Sequence, residues 1–334
     1  MIAKLKSIRQ SNIELLRILS MFCVLIGHVN GLIIGLPNKE TFSTDFLSSS
    51  MHVLVQGLSV VGVNVFVLIS GWFGIKATFK GGGKFVFQFL FLLLAIYGLA
   101  LITGHAVFNI TGIKNSLGLT EEYWFVMAYL GMFIFTPILN AYVEQASQVQ
   151  FRNLLISFYV FQCYYCWISG FTSYFEGYSV VFFCGLYLTA RYVRLYPLSF
   201  LYLNSSKLYL GISIFISLIA SLGIYFFGNA MRMLRYDNPL VILSSLALLL
   251  AFSKIKFQRN YVNVIAQSSF AVYIIHFNPY VFPFFKQVVR ELCMQFSGVS
   301  LIGMLFIFLV VVFLVCVVID QVRIGMWRFC NKLI

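Results

Sequence analysis

The chain has 334 residues, of which 61% are hydrophobic and 10% charged, with 37 phenylalanines and a formal net charge of +13. That composition cannot solvate a globular surface, so a soluble domain is excluded and a polytopic membrane protein is expected. The positive excess then concerns which loops carry it rather than a nucleic-acid partner, and none is expected.

The first apolar run, Ser11 to Gly31, carries two residues that membrane spans avoid, Arg17 and His28. Eleven residues is close to three helical turns, so the two project from one face about 16 Å apart along the axis. Ionisable groups in hydrocarbon are costly unless they face a wet or paired interior, so this face is expected to line a path. Arg17 has a second reading as a snorkelling interfacial residue. For His28, a buried histidine bonded to a neighbouring helix stands beside a general base or nucleophile. Ser11 and Glu14 have the form of a capping box, and Glu14 is placed to pair with Arg17 at i,i+3. The basic segment before this run resembles no cleaved signal, so the run is read as the first span.

Further apolar runs predict ten spans, near 11–36, 50–75, 84–105, 121–143, 151–169, 176–191, 208–228, 238–254, 262–284 and 298–322. With both termini cytoplasmic, the inner segments hold 17 of the 23 lysines and arginines, among them Lys4, Lys6 and Lys332, and the outer segments hold six. This asymmetry supports the count and the orientation. The connections are short, so residues 1–334 are read as one all-α integral membrane domain. The seven cysteines are odd in number and mostly within apolar runs. They read as small buried hydrophobes, and no metal site is expected, the Cys163/Cys166 pair included.

The second span ends in NVFVLISGWFGIK, with Asn64 and Ser70 as intramembrane polar groups and Gly71 permitting close helix approach. It runs into KATFKGGGK, where Lys76, Lys80 and Lys84 surround three glycines. This stretch reads as an ordinary positive-inside loop or as a flexible polyphosphate cradle. Arg191 and Arg194 form an RxxR after the sixth span, with donors suited to phosphate, and with Arg17 they complete a candidate basic inner mouth. On the outer side His105, Glu121 and Glu122 lie in the third-to-fourth connection, followed by Tyr123 and Trp124. The carboxylates read as solvated loop charges, or as groups that orient a histidine or accept bonds from sugar hydroxyls. Ser269, Tyr273 and His276 share one face of the ninth span, either a helix contact or a substrate wall, before Asn278 and Pro279 disturb its outer end.

The Arg17 and His28 pair, FVLISGWF in the second span, EYWFVMAYLGMFIFTPIL in the fourth and SSFAVYIIHFNP in the ninth resemble the acyltransferase family 3 of membrane proteins. Within it they most resemble bacterial exopolysaccharide and surface-polysaccharide O-acetyltransferases, and the likeness covers essentially the whole chain. The resemblance implies transfer of acetyl from cytoplasmic acetyl-CoA to a hydroxyl of a polysaccharide or lipid-linked sugar, in the cell membrane. His28 would match the family's essential histidine and Arg17 its essential arginine. Lys76 and Lys80 stand where many members place an RxxR just after the second span. On this reading Arg17, Lys76, Lys80, Lys84, Arg191 and Arg194 are candidate acetyl-CoA ligands. Asn64, Glu121, Glu122, Trp124 and His276 are candidate acceptor ligands. A transporter or flippase using Arg17 and His28 for binding and proton coupling is the alternative from another class.

Overall fold

The computed structural model describes residues 9–169 and 177–333, with side chains described through residue 329. Lys4 and Lys6, the side chain of Lys332 and the connection 170–176 lie outside the described residues. Every regular element among the described residues is helical. The first span is α1 (Ser11–Gly27), prolonged by a π-helical segment, His28–Ile34. Short α2 (Lys39–Thr44) leads into α3 (Phe46–Ser59) and α4 (Gly62–Phe73), which together form the second rod. There follow α5 (Phe79–Ile102), short α6 (Ile110–Ser116), α7 (Trp124–Gln145) and α8 (Gln148–Phe161), the last extended by a π-helical stretch to Ile168. The remainder is α9 (Val180–Leu195), α10 (Ser199–Phe227), α11 (Pro239–Ser253), α12 (Asn260–Ala266), α13 (Ser269–His276), α14 (Phe282–Gln295) and α15 (Gly298–Leu333).

Among the described residues, six helical stretches are by themselves long and apolar enough to cross a membrane. The shorter α9, α11 and α13 are largely buried within the bundle, where a helix needs only to match its neighbours, while α12 keeps Tyr261 and Val264 exposed. All eight residues of α13 are buried. The helix ends that meet are those the expected alternation of direction would bring together. At one end Ser11 contacts Asn263, Arg194 contacts Trp72 and Lys254 contacts Tyr202. At the other, Tyr273 contacts Glu122, Lys39 contacts Phe226 and Arg235 contacts Cys166.

Helix α4 is the central rod, with every residue from Gly62 to Gly71 buried. Its two terminal glycines set the distances to its neighbours. A Cβ on Gly62 would lie 2.7 Å from the Ser20 carbonyl of α1, and one on Gly71 would collide with the Tyr187 backbone of α9. The close approach expected at Gly71 is therefore present, and it brings the basic end of α9 over the end of α4.

Three local expectations are corrected. Helix α1 has no side-chain cap: Gln10 is its N-cap. The Ser11 hydroxyl instead donates to Asn263 Oδ1 at 2.9 Å and accepts from the Arg259 N–H at 2.9 Å, tying α1 to α12. The KGGGK stretch is not a loop. Thr78 caps α5 by accepting the Gly81 N–H at 3.1 Å, so a backbone donor required of an anion cradle is already used. The ninth span does not run from 262 to 284: it breaks at Gln267–Ser268 and ends at His276. Phe282 already belongs to α14, an amphipathic helix opened by Pro283.

Candidate active site

One stripe of α1 and its π-helical extension carries Glu14, Arg17, Met21, Val24, His28 and Gly31, a spacing of alternating three and four residues that keeps them on one face. The first two line a cavity of about 170 Å³ at the basic end, and the other four line a cavity of about 490 Å³ on the opposite side. Phe66, Phe125 and Phe270 line both, so an aromatic septum from α4, α7 and α13 separates the arginine from the histidine. The septum rings pack on one another, with centroids 6.0 Å apart for Phe66 and Phe125 and 6.2 Å for Phe125 and Phe270.

His28 stands where the helix widens from α to π, a local change that re-aims side chains and recurs at functional sites. The widened segment is held from α3: Asn30 Nδ2 donates to the His52 carbonyl and to Gln56 Oε1, while the His52 ring Nε2 lies 3.2 Å from the Asn30 carbonyl. Behind His28, its Nδ1 lies 2.8 Å from His276 Nε2, and His276 Nδ1 lies 2.6 Å from the Val272 carbonyl. A carbonyl only accepts, so His276 carries its proton on Nδ1 and offers the Nε2 lone pair to the His28 Nδ1–H. The hydrogen-bond network thereby assigns the neutral His28 tautomer, with an unprotonated Nε2. An imidazole held that way is a base or a nucleophile.

At the basic end Arg17 Nε is 3.3 Å from Glu14 Oε2, the i,i+3 pair expected, and Arg9 reaches the same oxygen at 3.8 Å. The Arg17 guanidinium lies 5.7 Å from the Phe66 ring centroid, against the septum. Lys84 is on the exposed rim of this cavity and Arg323 in its wall.

The remaining candidate residues separate into groups. Glu121, Glu122 and Trp124 join His28 around the larger cavity. Trp124 lies there against Tyr178 in a tilted contact at 4.2 Å between centroids, and Tyr236 adds a third ring at 6.1 Å from Trp124. Tyr273 lines the same cavity and donates to the Glu122 carbonyl at 2.9 Å. Asn64 does not line it: its amide donates to the Tyr236 carbonyl at 2.9 Å and fixes that ring's backbone. His276 is 1% exposed and stands behind His28 rather than in the cavity wall. His105 is exposed, bonds Thr103 Oγ1 and lies apart from the cavity.

Lys76 and Lys80 are exposed and do not line the smaller cavity. Arg191 and Arg194 pack on the end of α4: Arg194 donates to the Trp72 carbonyl and lies 5.2 Å from the Trp72 ring centroid, while Arg191 lies beside Gly74. Although it comes from a different connection, the RxxR pair is thus delivered to the loop after the second span. That loop is pinned by groups the sequence did not single out. Tyr187 Oη accepts the Ile75 N–H at 3.0 Å and donates to Asn140 Oδ1 at 2.6 Å, and the Asn140 amide donates to the Ile75 carbonyl at 2.8 Å.

Comparison with curated proteins and with solved structures gave no match. The family of the acyltransferase domain matches residues 10–321, a range that holds α1 with Arg17, its π-helical extension with His28, the septum, His276 and most of α15. With nearly the whole bundle covered, the chain belongs to the acyltransferase family 3 of membrane enzymes.

Proposed function

We propose that this acyltransferase moves an acetyl group from cytoplasmic acetyl-CoA to a hydroxyl of a surface or extracellular polysaccharide, or of its lipid-linked precursor, in the bacterial cell membrane. The observation that carries the reading is the hydrogen-bond relay from the Val272 carbonyl through His276 to His28, which leaves His28 Nε2 a free base. By the positive-inside rule the Arg17 end is cytoplasmic. The nucleotide and phosphates of the donor bind at that end, where Arg17 and Lys84 line the cavity and Arg191 and Arg194 flank the loop with Lys76 and Lys80. The pantetheine arm crosses about 16 Å of α1 to reach His28, a path that requires the septum rings, packed across it in this structure, to turn aside.

The sugar enters the larger cavity from outside, its ring against Trp124 and its hydroxyls toward Glu121 and Glu122. In direct transfer, His28 Nε2 takes the proton of the attacking hydroxyl as its oxygen bonds to the thioester carbonyl carbon. The C–S bond breaks and the thiolate recovers that proton. In the two-step form, Nε2 attacks the carbonyl carbon first, the thiolate leaves, and the acetyl-imidazole is then attacked by the sugar hydroxyl, whose proton goes to the thiolate or solvent. In both, the Nδ1–H bond to His276 holds the ring and supports the positive charge that develops on it.

The test is the O-acetyl content of surface glycans, measured by NMR in cells with and without the gene and in a His28→Ala strain. The reading expects the acetyl signals to vanish in both mutants. Unchanged acetylation in the deletion would remove its basis.

A further inference from the structure

Asp320 and Arg323 lie one turn apart on α15 and are 0% and 1% exposed. They form a two-point pair, with Nε 2.8 Å from Oδ1 and Nη2 2.7 Å from Oδ2. Gln88 of α5 approaches the same carboxylate at 3.5 Å. This arrangement uses one edge of the guanidinium and fixes its plane. The remaining nitrogen, Nη1, is buried and has no hydrogen-bond partner among the described residues. A buried guanidinium N–H without an acceptor is destabilising, so its persistence points to an acceptor that arrives from elsewhere.

Arg323 lines the cavity at the basic end with Arg17, Lys84 and Arg9, and Glu14 is the carboxylate of that lining. Glu14 is engaged by Arg9 and Arg17, and Asp320 by Arg323 itself. Arg17 Nε, although 3.3 Å from Glu14 Oε2, makes no hydrogen bond among the described residues and is also buried. Lys84 lies within electrostatic reach of Arg323, Arg9 and Arg328, and of the Asp320 carboxylate. The cations thus grade from exposed Arg9 and Lys84 at the rim, through half-buried Arg17, to buried Arg323. Such a funnel attracts an anion and desolvates it at its deep end.

We propose that Arg323 and Arg17 together form a phosphate-binding site in this cavity, with Arg323 Nη1 donating to a phosphate oxygen and Asp320 serving to position the guanidinium. Resting on the acetyl-CoA reading, the ligand is the pyrophosphate of the donor. The site then sets how deep the thioester arm is inserted toward the septum. A planar guanidinium held by a carboxylate presents a directed donor that a lysine does not reproduce.

The experiment is calorimetric titration of the full chain, in nanodiscs of neutral phosphatidylcholine, with coenzyme A and with inorganic pyrophosphate. Both bind the wild type. Arg323→Lys weakens coenzyme A about ten- to a hundredfold, the loss of one charge-assisted bond to phosphate. Because a buried half-pair can unfold the chain, the double variant Asp320→Leu/Arg323→Met is made as well. Apolar residues replace the whole pair in it, so it keeps the melting temperature and loses the same affinity. Wild-type affinity in both variants overturns the site. Pyrophosphate binding that depends on Arg323, with no coenzyme A binding, keeps the anion site and sinks the acetyl-CoA reading. Adding phosphatidylglycerol to the discs separates the sources: displacement of pyrophosphate assigns the site to a lipid phosphate and overturns the donor assignment, and its absence supports a soluble donor.

Discussion

His28 Nδ1 meets His276 Nε2 at 2.8 Å across 248 residues of chain, and the carbonyl of Val272, one turn earlier on α13, anchors the second ring. The anchor is a backbone group that cannot donate, so it dictates the protonation of both imidazoles in turn. In the proposed mechanism His276 is a positioning residue, and its substitution should separate chemistry from donor binding. His276→Ala should lower kcat on the order of 10²- to 10⁴-fold, with the KM for acetyl-CoA unchanged. His276→Gln, whose carbonyl oxygen can still accept the His28 N–H, should recover part of that loss. Steady-state acetyl transfer by the two variants checks this, and equal activity in both would show that the second histidine only fills space.

With acetyl-CoA as the proposed donor, the septum should keep the thioester apart from water in the outer cavity until transfer. Phe270 is 8% exposed, packs on Phe85 at 5.1 Å, and lines both cavities. Phe270→Ala should open a passage and raise acetyl-CoA hydrolysis measured without acceptor, while costing about 3–5 kcal/mol of stability for the cavity left behind. A bulkier Phe270→Trp should instead slow transfer without raising hydrolysis.

Much of this arrangement was legible in the sequence, for reasons tied to periodicity. The eleven-residue interval between Arg17 and His28 places them on one stripe whatever the rest of the fold does, and the stripe lines both cavities. The i,i+3 contact of Glu14 and Arg17 is equally local. What was not legible depends on distant partners. Ser11 looks like a cap until Asn263 is brought beside it. The glycines after Lys80 look like a loop, but the Thr78 cap starts α5 within that stretch. His276 reads equally as a helix contact or a substrate wall, because nothing local reveals that its ring is spent on His28. The septum is built from three of 37 phenylalanines, and no pattern distinguishes them. A usable signal did exist for Arg323: an Asp and an Arg three residues apart at the end of a long apolar run are a buried pair or a site.

The larger cavity should govern acceptor affinity alone. Trp124→Ala removes the ring that packs on Tyr178 at 4.2 Å and should raise the acceptor KM about tenfold, the loss of one aromatic contact. Acetyl-CoA KM should be unchanged, because Arg17 and Lys84 lie beyond the septum. Kinetics with a soluble oligosaccharide acceptor and each substrate varied in turn will report the split.

Gly71 offers a test of the fold that is independent of chemistry. A side chain there meets the Tyr187 backbone, which cannot retreat without moving α9 and the Arg191–Arg194 pair from the end of α4. Gly71→Val should destabilise the protein by about 1–3 kcal/mol or more through overpacking, read as a lowered melting temperature in detergent. Gly303, which has open space around its Cβ direction, should tolerate Ala at no comparable cost.

The most direct test of the central claim is transfer of radiolabelled acetyl from acetyl-CoA by the purified protein to an oligosaccharide acceptor, comparing wild type with His28→Ala. The wild type should label the acceptor, and the variant should retain coenzyme A binding while losing labelling to background. A folded His28→Ala protein that transfers acetyl at the wild-type rate would contradict the account.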